Sequence, residues 1–220
     1  MTLIVACGLR REAAIIGGAG RDIVVIAGGG DAALLERALD DAAARSPGVM
    51  LSAGLAGALD SGLRPGDLVI DGEVVETLRG VLPTAVIGAV AGSDAIVATA
   101  EAKRVLAART GAIAVDMESH ITARVARERG LPFGVVRAIS DAADEDLPPA
   151  ALVGMRPDGG VALGAVLLSL ARQPNQLPAL LRTGRHAGLA FRNLGRAFDA
   201  IAAAGFDRTQ LITCPPARVR

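Results

Sequence analysis

Short apolar runs alternate with helical segments along most of this chain, and this alternation constrains the fold more than any other feature of the sequence. The apolar runs predict buried strands, which are in chain order residues 3–7, 23–27, 49–53, 68–70, 85–90, 112–115 and 133–138. Helical patterns occupy residues 32–44, 99–109 and 118–129. The alternation predicts a three-layer α/β/α fold with a mixed, largely parallel twisted central sheet. The length of 220 residues fits a single domain.

Residues 114–144 join a strand, a helix and a second strand, and acidic side chains follow both strands. Glu118 comes after the first strand and Asp141 after the second. A carboxylate is costly to bury unless it is hydrogen-bonded or has a function. Because parallel sheets bind ligands at the carboxyl ends of their strands, Glu118 and Asp141 are predicted to face one pocket from neighbouring strands.

Composition argues against several classes of function. With 23 basic and 23 acidic residues, four Phe and no Trp or Tyr, the chain lacks the charge and the stacking surfaces of a nucleic-acid-binding protein. Cys7 and Cys214 form no disulfide framework or CxxC motif, and His120 and His186 have no companions at metal-ligand spacing. We therefore expect a cytoplasmic protein without a metal or cofactor, in which Cys7 is a small buried side chain.

Two motifs within residues 114–144 match a known signature: AVDMES at 114–119 and VVRAISDAAD at 135–144. The chain thereby resembles the superfamily of purine nucleoside phosphorylases and nucleosidases, and its pattern is most similar to the methylthioadenosine/S-adenosylhomocysteine nucleosidases. Further matching segments lie in the same order, at residues 4–12, 52–69 and 92–97. The resemblance covers roughly residues 3–172, and a family-atypical helical extension follows from about residue 173.

The composition and the variant DMESH at residues 116–120 look more like the hopanoid-associated phosphorylases of bacterial lipid synthesis. This resemblance implies that the substrate is adenosylhopane, an adenosine-like nucleoside with a polycyclic lipid on the ribose 5′ carbon, and that adenine is released. A pocket rich in Ala, Leu and Val suits such an aliphatic group. Two alternatives are a methylthioadenosine/S-adenosylhomocysteine-type nucleosidase and a non-catalytic nucleoside-binding protein.

Cleavage of an N-glycosidic bond passes through an oxocarbenium-like sugar, and the leaving base must be protonated. The resemblance implies that Asp141, oriented by Ser140, protonates the purine nitrogen N7. It implies that Glu118 holds the ribose hydroxyls and that Glu12 activates water. The residues themselves also allow a cap for Asp141, a helix N-terminal carboxylate for Glu118 and a surface charge for Glu12. Retention of all three acids favours an enzyme over a binding protein.

The resemblance also implies which residues contact the ribose and the base. Met117 lies against the ribose, and Gly54 belongs to the same substrate-binding set. Ile96 replaces the Phe that stacks on adenine in nucleosidases. Backbone groups at Val97 then read the edge of the base.

The attacking group stays open between water and inorganic phosphate, which is a candidate co-substrate. At Ser52 and Leu55, the chain lacks the Arg and the Ser that phosphorylases of this superfamily use. Backbone N–H groups of a glycine turn and arginines of the first loop can still bind an anion, whereas the alternative is a plain turn beside solvated arginines. The candidate phosphate-binding residues are Arg10, Arg11, Gly28, Gly30 and Ser52.

The C-terminal part predicts an apolar helix at residues 161–171, a break at Pro174 and Pro178, and an amphipathic helix at residues 188–204. The last helix is interpreted as a packing or dimer helix, or as one that covers a lipid or contacts a membrane surface. Because relatives commonly form symmetric oligomers, we expect a homo-oligomer.

Overall fold

The computed structural model describes residues 2–20, 23–153 and 162–205. The strands are β1 (Leu3–Cys7), β2 (Ile23–Ala27), β3 (Val49–Ala58), β4 (Leu68–Gly72), β5 (Val86–Ile87), β6 (Val90–Gly92), β7 (Ala114–Asp116) and β8 (Phe133–Asp141). The helices are α1 (Arg10–Gly17), α2 (Ala32–Arg45), α3 (Val75–Val81), α4 (Ala100–Thr110), α5 (Ser119–Glu128), α6 (Pro149–Val153), α7 (Leu163–Arg172) and α8 (Leu177–Ala204). Cys214 lies outside the described residues.

The strands form one mixed sheet with the order β2-β1-β3-β8-β4-β5, to which β7 is added beside β3 and β6 beside β7. Strand β1 pairs in parallel with β2 and β3, and β3 pairs in parallel with β8. Strand β4 runs antiparallel to β8, and β7 runs antiparallel to the end of β3. The predicted α/β fold with a largely parallel mixed sheet is confirmed.

Helices cover both faces of the sheet, as the strand–helix alternation predicts. Along β1, Val5 packs into a core shared with α8, whereas its neighbour Ile4 packs into a second core shared with α2 and α5. Successive side chains of a strand point to opposite faces, so an uninterrupted apolar strand fills both cores. Cys7 is fully buried at the end of β1, and its burial raises the pKa of its thiol to about 12, in agreement with a small buried side chain.

Two predicted strands differ from the observed ones. The run at residues 85–90 is divided into β5 and β6, because β5 pairs with β4 whereas β6 pairs with β7. Strand β3 continues five residues beyond the predicted 49–53, because the segment that holds Gly54 and Gly57 pairs with β8. Local apolar pattern does not reveal either change, since both depend on which strand lies alongside.

Helix α8 begins at Leu177, eleven residues before the predicted start. Pro178 lies in its first turn, where the missing N–H of proline removes no intrahelical hydrogen bond, so the expected break at Pro178 is wrong. Leu194, Phe198 and Ile201 are buried against the sheet, which agrees with the interpretation of a packing helix. Within the described ranges, no helix is long and apolar enough to cross a membrane.

Candidate active site

A pocket of about 540 Å³ opens where β1, β3, β7 and β8 end. The loop before α4 and helices α6 and α8 complete its wall. The residues that line this pocket include Leu9, Glu12, Gly30, Leu55, Gly57, Ile96, Val97, Met117, Glu118, Ser140, Asp141, Leu147, Ala151, Ala187 and Phe191. The three acids singled out in the sequence therefore lie around one cavity.

Glu12 is buried in the first turn of α1, so the interpretation as an ordinary surface charge is wrong. Its Oε2 atom accepts hydrogen bonds from the backbone N–H groups of Gly8 at 2.9 Å and Leu9 at 2.8 Å, and Oε1 accepts one from Leu55 at 2.8 Å. Burial raises the pKa of this carboxyl, although Arg137 and the three hydrogen bonds oppose that effect. Glu12 is therefore fixed between the end of β1 and β3.

Glu118 lies two residues after the end of β7 and faces the end of β1. A Cβ atom added at Gly8 would lie 2.5 Å from Glu118 Oε1, so the glycine permits this close approach. Burial raises the pKa of Glu118 to about 7; Arg137 lowers it, while Asp116 and Glu12 raise it. Glu118 occupies the cap position of α5 but makes no side-chain cap hydrogen bond, which leaves its carboxyl for the pocket.

Arg137 lies beneath the pocket and was not singled out in the sequence. Its guanidinium is fully buried and forms ion pairs with Asp116 and, at 3.3 Å, with Glu118 Oε2. Burial lowers the pKa of Arg137, but the carboxylates of Asp116, Glu118 and Glu12 outweigh that effect and raise it. The available signal was one arginine inside the apolar run of β8, where an unpaired charge would be prohibitive.

Asp141 closes the other side of the pocket at the end of β8. Ser140 Oγ donates a hydrogen bond of 2.7 Å to Asp141 Oδ1, as expected for an orienting serine. Lys103 Nζ lies 2.6 Å from Asp141 Oδ2, and the lysine side chain is fully buried. Lys103 was also missed, although it is the only lysine among the 23 basic residues of the chain.

Glu118 and Asp141 reach the pocket from strands that do not pair with each other, so the prediction of neighbouring strands is wrong in this detail. β7 and β8 both pair with β3, whose Gly57 is the register partner of Val115 in β7 and of Asp141 in β8. The end of β3 therefore lies between the two acids.

Two of the predicted ligand-binding residues do not reach the cavity. Ser52 is fully buried, and its hydroxyl accepts a hydrogen bond of 2.6 Å from Arg137 Nη2, so its assignment to phosphate is wrong. Gly54 does not line the pocket either, because it lies against the side chains of Glu12 and Arg137. Its φ of +152° and the 2.7 Å separation between an added Cβ and Glu12 Oε1 explain the glycine.

The other candidate phosphate-binding residues lie at different places relative to the pocket. Arg10 and Arg11 are exposed and do not line the pocket; the Arg11 guanidinium lies 4.3 Å from the ring centre of Phe191. Gly30 lines the pocket, whereas Gly28 lines a smaller adjoining cavity. Among the described residues, the pocket wall has no Lys or Arg.

The residues predicted to contact the base and the ribose lie on elements around the same cavity, and their roles stay predictions. Met117, Ile96 and Val97 line the pocket together with the acids. His120 does not line it, because its Nε2 atom is paired with Asp94 Oδ1 at 3.0 Å. Phe191 from α8 is an aromatic contact that the sequence did not predict, since α8 lies beyond the resemblance.

Residues 71–172 match the family model of the phosphorylase superfamily. The match spans β4 to α7 and includes Glu118, Arg137 and Asp141. It supports the superfamily predicted from the sequence motifs and the predicted enzyme class, a nucleoside phosphorylase or nucleosidase.

The fold is shared with solved structures of low sequence identity. A methylthioadenosine/S-adenosylhomocysteine nucleosidase from Colwellia psychrerythraea, solved with adenine, has 17% identity and a TM-score of 0.62 over 79% of this chain and 95% of that one. A mutant of the Helicobacter pylori nucleosidase, solved with 5′-methylthioadenosine in its active site, has 17% identity and a TM-score of 0.63 over 91% and 99%. A futalosine hydrolase mutant of H. pylori has 19% identity and a TM-score of 0.62 over 91% and 100%. Coverage of 91% extends past residue 172, where the sequence resemblance ends.

Proposed function

We propose that this protein cleaves the N-glycosidic bond of an adenosine-like nucleoside and releases adenine. The observation that carries the proposal is the meeting of Glu12, Glu118 and Asp141 around one pocket, which Met117, Ile96 and Val97 also line. This set supplies the three tasks of the reaction: charge stabilisation, activation of the attacking group and protonation of the base.

Glu118 holds the ribose in this proposal. An ionised carboxylate accepts hydrogen bonds from two adjacent hydroxyls and stabilises the positive charge that develops on the sugar. With a pKa of about 7, Glu118 is substantially ionised near neutral pH. Arg137, 3.3 Å away, favours the ionised form without entering the pocket.

Asp141 protonates the departing base. Ser140 and Lys103 hold one carboxyl oxygen each, so the group cannot rotate away from the base. A general acid fixed in this way typically contributes a rate factor of about 10²–10⁴.

Water is the attacking group that the pocket favours, with Glu12 as the residue that activates it. A phosphate dianion would meet carboxylates, and no cationic side chain among the described lining residues would offset their repulsion. Burial, which raises the pKa of Glu12, makes this carboxyl a better proton acceptor than an exposed one. We therefore place hydrolysis ahead of phosphorolysis.

The 5′ substituent of the nucleoside is large and aliphatic in this proposal, as in adenosylhopane. The wall formed by the last helices and the first loop is apolar and consists of Leu9, Leu147, Ala151, Ala187 and Phe191. Exposed leucines on α7 and α8, such as Leu167 at 66% and Leu181 at 54%, support a peripheral contact with the membrane that would carry such a lipid.

The test is incubation of the purified protein with adenosylhopane, methylthioadenosine and futalosine, each with and without phosphate. Adenine released without phosphate supports hydrolysis, and a sugar 1-phosphate supports phosphorolysis. Preference for methylthioadenosine would favour the alternative nucleosidase. Binding without release of any base would replace the enzyme by a nucleoside-binding protein.

A further inference from the structure

We propose that Lys103 is the positioning residue of Asp141 and supplies the proton that Asp141 passes to the leaving base. This inference rests on the proposed function, because it assigns a source to the proton which that reaction consumes. It concerns a side chain on α4 that does not line the pocket itself but pairs with Asp141, which does.

The ammonium of Lys103 is fixed in three directions. Its Nζ atom lies 2.6 Å from Asp141 Oδ2 and donates hydrogen bonds to the carbonyl oxygens of Ala142 at 2.7 Å and Glu145 at 2.8 Å. These contacts use all three donors of the ammonium. Because the lysine side chain is fully buried, water does not compete for its ammonium, and Lys103 also ties the loop after β8 to α4.

The identity of this cation is the second observation. The chain has 22 arginines and a single lysine, and the lysine is the basic residue that touches the predicted acid. A guanidinium remains protonated in proteins, whereas an ammonium can release its proton when it is buried. The buried cation beneath the pocket, which only has to stay charged, is by contrast Arg137.

The proton transfer balances without an external reagent. The Nζ–H bond directed at Asp141 Oδ2 breaks and an O–H bond forms, which leaves a neutral amine beside a carboxylic acid. Asp141 then protonates the base nitrogen while the electron pair of the glycosidic bond passes to the base. Glu12 takes one proton from the attacking water. After the products leave, Glu12 releases that proton to the water of the pocket, which returns one proton through Asp141 to Lys103, so that both residues regain their starting states.

The burial of the Lys103–Asp141 pair favours the transfer of the proton from the ammonium to the carboxylate. An ion pair and a neutral amine–acid pair have the same net charge, so the acid is formed without taking a proton from bulk water. A low local dielectric disfavours separated charges and narrows the free-energy gap between the two forms. Asp141 therefore receives its proton directly from the partner of its own ion pair.

Glu145 is a second titratable residue near the ammonium of Lys103, which it contacts with its backbone. Glu145 accepts from Lys103 with its carbonyl oxygen, whereas its carboxylate is paired with Arg182 Nε at 3.0 Å and His186 Nδ1 at 3.3 Å on α8. Variants at His186 therefore test whether a change in pH dependence comes from Lys103 or from this neighbouring cluster.

The first experiment compares Lys103→Met and Lys103→Arg with the adjacent exposed control Arg104→Met. We expect kcat for adenine release to fall about 10²-fold or more in both Lys103 variants, with KM changed far less, and to stay unchanged in the control. Lys103→Arg keeps the charge and removes the exchangeable proton, so full activity of this variant would overturn the proposal. A far-UV spectrum and a thermal unfolding curve identify variants that have not folded.

The second experiment leaves the fold intact. Lys103 is the one lysine of the chain. Expression in a lysine auxotroph supplied with thialysine, whose amine is a weaker base, therefore changes Lys103 alone when the purification tag contains no lysine. We expect thialysine to move the alkaline limb of the pH profile of kcat to lower pH. The same displacement should occur in the control variant His186→Gln. An unmoved limb would reduce Lys103 to a structural residue.

The two proposals fail separately. If the unaltered protein releases no base from any nucleoside, the proposed function is lost. If it does release base and the Lys103 variants match it, the function stands and only the role of Lys103 is lost.

Discussion

Arg137 and Lys103 are two buried cations that pair with different carboxylates of the site. Arg137 contacts the carboxylates of Asp116 and Glu118. Lys103 pairs with the carboxylate of Asp141. In the proposed reaction, a permanent positive charge thus lies behind the acid that holds the sugar, whereas the acid that protonates the base has a partner that can give up a proton.

Asp141→Asn should abolish most turnover, because an amide keeps the hydrogen-bonding shape but cannot protonate the base. We expect kcat for adenine release to fall by about 10²–10⁴-fold with KM little changed. The matched control is Asp144→Asn, an exposed acid in the same loop, which should behave like the parent. A fully active Asp141→Asn enzyme would remove Asp141 from the reaction.

Binding of a nucleoside should strengthen as pH rises through about 7, the pKa to which burial raises Glu118. The sign follows from the ionisation: below that pH the carboxyl is protonated and has fewer acceptor sites, and above it both oxygens accept from the ribose. Calorimetric titration with a non-cleavable adenosine analogue between pH 5.5 and 8.5 measures this dependence. The variant Glu118→Gln should bind the analogue weakly at every pH. If its affinity still depended on pH in the same way, Glu12 would be the titrating group instead.

At the scale of elements, α8 forms part of one core and part of the pocket wall. Leu194 and Phe198 pack on the sheet, whereas Ala187 and Phe191 face the cavity. The stability of this helix and the shape of the pocket therefore depend on the same turns.

Leu194→Ala should lower the free energy of unfolding by about 2–5 kcal/mol, because it leaves a cavity where a fully buried side chain packs. Arg192→Ala, on the exposed side of the same helix, should change it by no more than about 0.5 kcal/mol. Urea titration followed by far-UV circular dichroism measures both. Equal losses of unfolding free energy in the two variants would mean that α8 stabilises the fold through its helix propensity rather than through the packing of Leu194.

The elements also show what the sequence makes predictable. Strand β1 and helix α2 were located because their patterns are local, and the acids were located because their motifs are contiguous. The role of Ser52 was misassigned because its hydroxyl is occupied by Arg137, 85 positions away in the chain. Arg137 and Lys103 were missed for the same reason: their partners come from other elements, and no local pattern reports a pairing across the sheet.

For the whole molecule, the larger cluster of buried charges surrounds Arg137 on β8. Asp116, Glu118 and Glu12 surround Arg137, and each lies on a different element or loop. Such a cluster is stable only when complete, because a single missing partner leaves uncompensated charge in a low dielectric.

Arg137→Met should lower the free energy of unfolding at pH 7.5 by about 3–5 kcal/mol, since it leaves buried carboxylates without a cation. The control Arg124→Met breaks an exposed pair with Glu36 and should lose at most about 1 kcal/mol. The Arg137→Met deficit should shrink at pH 5, where the uncompensated carboxyls take up protons. A deficit that is independent of pH would indicate lost packing instead of lost charge.

Strand β3 contacts every element that bears one of the three acids. It pairs with β1, which leads into Glu12, and its Gly57 stands in register with both β7 and β8. Backbone hydrogen bonds of a single ten-residue strand thus hold the acids at fixed separations. The side chains of Ile96 and Val97 line the pocket from a loop outside this pairing. A protein engineer can therefore vary these two positions to retarget the pocket to other nucleosides while β3 keeps the acids at the same separations.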